Sequence, residues 1–433
     1  MHLPPNVHFC IKALEQAGFS CYAVGGCVRD ALLGLTPHDY DLCTAAKPDT
    51  IARIFAGHTL VRSGEKHGTI GVVLGGEVYE ITTYRTEGDY TDSRHPGWVE
   101  FVDDITLDLS RRDFTVNAMA YSPTRGYADP FGGQQDLQSG VLRCVGDPET
   151  RFSEDALRIL RGVRFAVRYG LRVDEATEEA MFRLAPLMEN LARERVFDEL
   201  CKLLPLVDAK DLVSFAPVLT QVLPELAPTI GFDQKNPHHE YDIFTHTAHV
   251  TAAVPGDPAL RWAALLHDSG KPGCFSLDEQ GQGHFYGHAK LSAQIADQIL
   301  LRLKAPTALR QRVVLLVEQH MALLEPDKKL LRRRLSKLGR EAVHQLLALQ
   351  QADMGAKPAD EGRFAQIRLL LEQIAGEDAC LSIRDLAVRG QDLMALGYRG
   401  PAIGQAQQWL LEQVLDEQVE NEKEALLKAL QQR

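Results

Sequence analysis

Between Cys21 and Leu42 the chain must change direction repeatedly within a few residues. It runs Cys21-Tyr22-Ala23-Val24, a glycine pair at Gly25 and Gly26, Cys27-Val28-Arg29-Asp30-Ala31-Leu32-Leu33-Gly34, and then Asp39-Tyr40-Asp41-Leu42. Cys21 to Val24 is a short apolar run that reads as a strand. Val28 to Leu33 reads as the following helix, and Asp39 to Leu42 as a second strand. The glycines let backbone N–H groups approach an anion closely. Arg29 offers a forked positive charge that matches phosphate oxygens. Residues i and i+2 of a strand share a face, so Asp39 and Asp41 are expected to project together. Two such carboxylates repel unless a cation lies between them, and hard oxygen ligands suit Mg²⁺. An isolated Asp-x-Asp is usually a solvated loop and an isolated Gly-Gly a turn. Joined at this spacing, they point to phosphoryl or nucleotidyl transfer.

The neighbouring segments extend this unit. Ile70 to Leu74 and Val78 to Thr83 read as strands joined at Gly75-Gly76, and Ser110 to Tyr121 has helical spacing. From about residue 151 the pattern is helical, with Leu157, Leu160, Val163 and Val167 on one face. The expected class is therefore α+β: an N-terminal α/β head with a mixed or antiparallel sheet, then an all-α body. A chain of 433 residues exceeds one ordinary core. Pro228 to Pro237, with Gly231 between, reads as a linker, and Pro358 to Gly362 as a weaker break. The expected divisions are 1–145, 146–225, 226–357 and 358–433.

Composition excludes some classes. The chain is 45% hydrophobic and 24% charged, as in soluble globular proteins. It has no apolar run of about 18 residues, so no membrane span is expected. Met1-His2-Leu3-Pro4-Pro5 lacks a basic segment followed by an apolar core. The eight cysteines are scattered without a Cys-x-x-Cys pair and read as reduced thiols of a cytoplasmic protein. The net charge of −12 weighs against general nucleic-acid affinity. Local basic clusters weigh the other way: Lys328, Lys329, Arg332, Arg333, Arg334, Lys337 and Arg340, and Arg158, Arg161, Arg164 and Arg168. A charge run of this kind is most often a solvated helix face.

Further stretches follow in order. Glu80 lies in Tyr79-Glu80-Ile81-Thr82-Thr83, a strand beside the aspartates. Arg111-Arg112-Asp113-Phe114-Thr115-Val116-Asn117-Ala118-Met119 comes next, then Asp129-Pro130-Phe131-Gly132-Gly133, Glu154-Asp155-Ala156-Leu157-Arg158 and Arg193-Glu194-Arg195-Val196. Asp155 and Arg158, at i and i+3, are expected on one helix face. An Asp can accept from the exocyclic amino group of cytosine or adenine while an Arg donates to the adjacent ring nitrogen. Guanine and uracil reverse that pattern. With the opening stretch, these segments closely resemble the motifs of class II tRNA nucleotidyltransferases, the CCA-adding enzymes and their bacterial poly(A) polymerase relatives.

The resemblance implies template-independent addition of C, C and A to tRNA from CTP and ATP. It implies catalysis by Asp39, Asp41 and Glu80, with Mg²⁺ on the two aspartates. It places nucleotide contacts at Gly25, Gly26, Arg29, Arg111, Arg112, Asp113, Asn117, Asp155, Arg158 and Arg161. Ala192 stands where the family commonly has serine. The charged, turn-rich segment Arg85 to Pro96 reads as a flexible loop, much of which the family's CC-only enzymes lack. Ser63-Gly64-Glu65-Lys66-His67-Gly68-Thr69 resembles CCA-adding sequences more than poly(A) polymerases. An A-adding enzyme or a poly(A) polymerase is the alternative.

The body carries a second pattern. His246, the pair His267-Asp268 and a late Asp353 have the order of an HD phosphohydrolase domain, and His288 and His320 are further candidate ligands. Leu260 to His267 is apolar enough to bury a helix and leave its His-Asp end free. His238, His239, His249 and His284 fall outside the pattern. The resemblance implies a divalent-metal phosphohydrolase acting on 2′,3′-cyclic or terminal RNA phosphates. A reading from another class follows: an HD nucleotide phosphohydrolase whose head merely binds RNA. The tail, from Ser382-Ile383-Arg384-Asp385-Leu386 through Gly397 and Gly404 to Trp409, resembles the C-terminal region of bacterial CCA-adding enzymes. It is expected to contact tRNA through shape and phosphates.

Overall fold

The computed structural model describes residues 1–88, 99–236, 240–355, 358–377 and 379–433. Two compact units emerge, 1–207 with 214–224, and 208–213 with 225–433. The first is built on a mixed sheet. Its strands are β1 (Cys21–Val24), β2 (Leu42–Thr44), β3 (Thr59–Val61), β4 (Thr69–Leu74), β5 (Glu77–Thr83), β6 (Arg85–Glu87), β7 (Val99–Phe101), β8 (Ala120–Ser122) and β9 (Gly126–Ala128). The order in space is β3-β4-β5-β2-β1-β8-β9, with β6 and β7 as a separate ribbon. Every residue of β1 and β2 is buried, as short apolar runs at the centre of a covered sheet should be. β2 runs parallel to β5, with Leu42 opposite Ile81, and antiparallel to β1.

Two local expectations are corrected. Strand pairing begins at Leu42, not Asp39, so Asp39 to Asp41 form the approach to β2. Their carboxylates favour solvent over the buried sheet, although the Asp41 carbonyl still accepts from the Val24 N–H. Ser110 to Tyr121 is not a helix. The helix Ile105–Ser110 ends there, a 3₁₀ turn covers Thr115–Asn117, and β8 follows. Phe114, Val116, Ala118 and Met119 are all fully buried, so the apolar residues have no solvent face to alternate with. The Thr115 N–H goes to the Arg143 carbonyl, and Met119's carbonyl receives the Gly25 N–H, so this backbone bonds at long range.

The linker signals divide similarly. Pro228 lies inside the 3₁₀ segment Pro224–Thr229, while Pro237 lies outside the described residues. Pro358 to Gly362 is the start of the helix Pro358–Gly376 rather than a break. In the loop Arg85 to Pro96, Arg85–Glu87 pairs with Val99–Phe101; residues 89–98 lie outside the described residues.

The second unit is helical, with the small strand pair Ser276–Leu277 and Gly283–His284. Its tail has a core of its own around Leu386, Leu393, Leu410 and Leu426. The basic run lies on the helix Lys328–Leu338 and is largely answered by acids of the same unit. Lys328 and Arg332 pair with Glu377, Arg332 also with Glu417, and Arg333 with Asp416 at 2.6 Å. Among the described residues no helix is long and apolar enough to cross a membrane.

Candidate functional site

The head presents its candidate residues where β1 gives way to the helix Gly26–Leu32. Gly25 has φ +78°, and a Cβ there would lie 2.8 Å from Arg112 Nη1, so only glycine fits between this turn and the arginine. Asp39 and Asp41 are exposed. One step back along the β2–β5 register, Asp41 lies level with Glu80, which is also exposed. The protein surrounding Asp41 raises its pKa from the ordinary value; the Arg112 charge opposes that rise and Asp39 adds to it. Two neighbouring carboxylates offer hard oxygen donors, a set that fits a divalent cation. They are not drawn tightly together. Among the described residues, donor atoms meeting within 4.8 Å in groups of three or more are all in the body.

The arginines are engaged within the protein. Arg29 is 5% exposed. It donates to Asn117 Oδ1, the Tyr169 hydroxyl and Asp30 Oδ1, and its guanidinium stacks 4.3 Å from the Tyr169 ring centroid. Asn117 donates in turn to Asp113, which also receives Arg161 at 2.7 Å. Burial works against the Asp113 carboxylate, but Arg161 and Asn117 outweigh it and hold its pKa at about 2. Arg111 and Arg112 both pair with the buried Asp108. The structure thus links Arg29, Asn117, Asp113 and Arg161 into one network. Tyr169 and Asp108 were not singled out from sequence, although Arg161, Phe165 and Tyr169 recur at a four-residue helical interval.

Asp155 does not share a helix with Arg158. It is extended, with φ −146° and ψ 100°, between the helices Pro148–Glu154 and Leu157–Tyr169. There it accepts the Leu157 N–H two residues on, the turn bond that a short acid makes with its own backbone ahead of a helix. Its other oxygen takes Arg195 at 2.7 Å. Arg158, 8% exposed, donates to Glu154 and to the Arg111 carbonyl.

The body centre is assembled from helix ends. His246 lies in the first turn of Ile243–Ala253, and Asp242 caps that turn at the Thr245 N–H. His267 and Asp268 follow Pro258–Leu266, whose residues Ala259 to Leu266 are all buried. His288 opens His288–Arg302, His320 closes Thr307–Gln319, and Asp353 lies near the end of Arg340–Met354. Gly270 lets the turn after Asp268 pack closely: a Cβ there would lie 2.6 Å from the Ser292 nitrogen.

His246, His267, Asp268 and Asp353 offer donor atoms within 4.8 Å of one another, and so do Asp268, His288 and His320. Asp268 belongs to both groups. Its Oδ2 faces His267 Nε2 at 3.3 Å, and its Oδ1 faces His288 Nε2 at 3.3 Å. The Nδ1 atoms of His267, His288 and His320 lie 2.8, 2.8 and 2.6 Å from the carbonyls of Ala264, Phe285 and Val317. In a neutral ring, donation from Nδ1 would leave the Nε2 lone pair aimed inward, the tautomer a metal requires. His267 Nε2 and Asp268 Oδ2 are buried without a hydrogen-bond partner, although Lys271 Nζ approaches Asp268 Oδ2 at 2.7 Å as an ion pair. Burial disfavours charge on His267, yet Asp268 and Asp353 lift its pKa to about 10. Burial and the His267 charge push His320 down to about 4. Opposed shifts of this kind follow from packing several ionisable groups into one buried cluster. Lys271, three residues after Asp268, was not singled out from sequence.

Acids at the entry to β2 and on β5, with arginines close behind, give the head the character of a nucleotidyltransferase. Residues 21–143 match the Poly A polymerase head domain, 170–213 the probable RNA and SrmB-binding site of polymerase A, and 278–430 the tRNA nucleotidyltransferase domain 2 (putative). The CCA-adding enzyme of Latilactobacillus sakei is 31% identical over 429 residues, covering 97% of this chain and 96% of that protein. The chain belongs to the CCA-adding enzyme family. The CCA-adding enzyme of Leuconostoc mesenteroides is 47% identical over 194 residues, so there the match spans 45% of this chain and about half, 48%, of the relative's length. The crystal structure of the Bacillus stearothermophilus CCA-adding enzyme in complex with CTP superposes with a TM-score of 0.73 at 29% identity, covering 100% of this chain and 99% of that one.

Proposed function

We propose that this chain adds C, C and A to the 3′ end of tRNA, using CTP and ATP. The observation that carries the reading is the level placement of Asp41 and Glu80, beside Asp39 and next to the Gly25–Arg112 turn. In each cycle the tRNA 3′-oxygen attacks the α-phosphorus, the bond to the β-phosphate breaks, and pyrophosphate leaves. Asp39 and Asp41, with Glu80 beside them, would hold divalent cations, with Mg²⁺ the natural choice for oxygen ligands. Bound there, the metal lowers the pKa of the attacking hydroxyl and offsets charge on the leaving group. Arg112 stands ready for the triphosphate. Asp155 and Arg158 read the base edge, with Arg195 and Glu154 holding them between nucleotides. The tail contacts tRNA through its shape and phosphates. Eight free cysteines and a tRNA substrate support a cytoplasmic location. The test is tRNA ending at the discriminator base, given CTP and ATP separately and together. Product lengths separate full CCA addition from A-only or poly(A) synthesis, and Asp39→Ala with Asp41→Ala must abolish all products.

The paired metal-ligand groups around Asp268 favour a second activity, an HD-type phosphohydrolase. Water adds to phosphorus of a 2′,3′-cyclic phosphate, one ring P–O bond breaks, and the freed ribose oxygen takes the water's proton. His246, His267, Asp268 and Asp353 would hold one divalent cation, and Asp268, His288 and His320 a second. The metal would supply a water acidic enough to act as nucleophile at neutral pH. Phosphate-ester turnover with Ni²⁺, Mn²⁺ or Mg²⁺, lost in Asp268→Asn, tests it. Absence of turnover with every metal leaves the centre a structural role.

A further inference from the structure

We infer that Tyr286, backed by His284, is a nucleobase platform at the mouth of the body's metal-ligand cleft, so that this cleft takes nucleoside phosphates rather than phosphoesters in general. The inference rests on the phosphohydrolase reading of that centre. The cleft has a volume of about 1070 Å³ and is lined by His246, Asp268, His288 and Asp353 together with His284 and Tyr286. That space exceeds what a cyclic phosphate alone needs and suits a whole nucleotide.

Tyr286 is 77% exposed, more than any other described large apolar or aromatic side chain with substantial exposure. A tyrosine that open recovers little from burial, so folding gives it no evident role. It is nevertheless held flat. The His284 ring stacks on it with centroids 5.3 Å apart and planes 10° apart. His284 is fixed in turn by Asp278 Oδ2, 2.9 Å from its Nε2. One face of the tyrosine is therefore occupied and the other is available.

The platform is tied to the metal ligands by the shortest route the chain offers. Tyr286 lies two residues before His288. Phe285 between His284 and Tyr286 supplies the carbonyl that orients His288 Nδ1, and its ring lies 5.3 Å from Lys271 Nζ. Lys271 is the cation paired with Asp268. The segment 284–288 thus carries a stacking surface and a candidate metal ligand, and Phe285 within it packs beside the Lys271 charge. A nucleotide brings a base for the first and a phosphate for the other two. Stacking on an open aromatic is tolerant of base identity. The platform should discriminate for the presence of a base and only weakly among bases.

The experiment uses the full chain loaded with Mn²⁺ or Ni²⁺ and two probes with the same cyclic phosphate: adenosine 2′,3′-cyclic phosphate and base-free glycerol 1,2-cyclic phosphate. Tyr286→Ala should raise KM for the nucleotide about tenfold with kcat within about twofold, the typical scale of one base–aromatic stack. It should leave the glycerol compound unchanged, and Tyr286→Phe should restore the wild-type KM. An equal effect on both probes, or none, overturns the platform while the phosphohydrolase reading stands. If the wild type turns over neither probe, the phosphohydrolase reading fails instead. Equilibrium binding of labelled adenosine 2′,3′-cyclic phosphate, with Asp39 and Asp41 replaced by Ala, then decides the platform separately. Binding weakened by Tyr286→Ala keeps it, and unchanged binding removes it. A short RNA ending in a cyclic phosphate distinguishes sources: a lower KM than the mononucleotide's assigns the cleft to RNA ends, and an equal KM to free nucleotides. Either supports a base platform.

Discussion

The head and the body solve the problem of holding charge in opposite ways. In the body, donors from helix ends far apart in sequence meet within 4.8 Å, and four of the six, His267, Asp268, His288 and His320, are buried. In the head, Asp39, Asp41 and Glu80 stay exposed and apart, while Arg29, Arg158 and Arg161 are already paired inside the protein. The difference teaches what each site must accept. A small cation can be enclosed by converging helix termini. A site that takes a nucleotide, releases pyrophosphate and moves a growing 3′ end must leave its acids open. Its specificity groups must sit in ion pairs that can be exchanged.

The sharpest way to break this comparison is to remove one acid from each region. Asp268 is shared by both ligand groups, so Asp268→Asn should empty the body of tightly held metal, read by elemental analysis, and reduce phosphohydrolase turnover to background. Nucleotide incorporation should stay within about twofold. Asp41→Asn should do the reverse, lowering incorporation about a thousandfold, the rate equivalent of the several kcal/mol a metal-held charge supplies. If either change disables both activities, the regions are not independent in the sense proposed.

A second test concerns exchangeable pairs. Asp155 holds Arg195 and the Leu157 N–H, and a nucleotide must compete for it. Asp155→Ala should let UTP or GTP into the product, relaxing discrimination by about ten- to a hundredfold, the range for one good pair of base-edge hydrogen bonds. Sequencing of the added nucleotides checks it. Unchanged fidelity would assign Asp155 to the turn ahead of its helix alone.

How much of this was legible in the sequence follows the same division. The body's cluster could be read because its residue types are chemically rare together, and His-Asp adjacency survives any helix geometry. The neighbouring His284 fell outside that pattern, because its stack on Tyr286 two residues on follows no ligand spacing. In the head, β1, β4 and β5 were legible from apolar runs bounded by glycines. The segment 110–121 misled, because residues buried on all sides imitate helical spacing at any period. Asp155 misled similarly: an i, i+3 interval implies one helix face only if no break intervenes, and its own side chain favours the break by accepting the Leu157 N–H in a turn.

The Asp113 network allows a pH test of how rigid the head's arginine frame is. Its folded-state pKa is lowered from 3.8 to about 2, so ionised Asp113 stabilises the fold above the unfolded value. That contribution, about 2 kcal/mol at neutral pH, is lost progressively as pH falls from about 4 to about 2. Asp113→Asn should therefore lower the denaturation midpoint at pH 7 and converge on the wild type near pH 2. A constant gap across that range would assign the loss to packing instead of charge.

The smallest effect is expected on the basic helix of the body. Arg333 and Asp416 pair at 2.6 Å, but Arg333 keeps 52% of its side chain exposed. Exposed pairs are screened by salt and seldom hold a fold together. If they belong with the head's exchangeable pairs, their acids restrain arginines that tRNA phosphates can claim. Asp416→Asn should then leave the unfolding midpoint unchanged within error and tighten tRNA binding about twofold at low salt, an advantage that fades as ionic strength rises. Weaker binding with a lowered midpoint would show the opposite: that Asp416 anchors the helix Lys328–Leu338, and that this surface is preassembled in the manner of the metal-ligand centre.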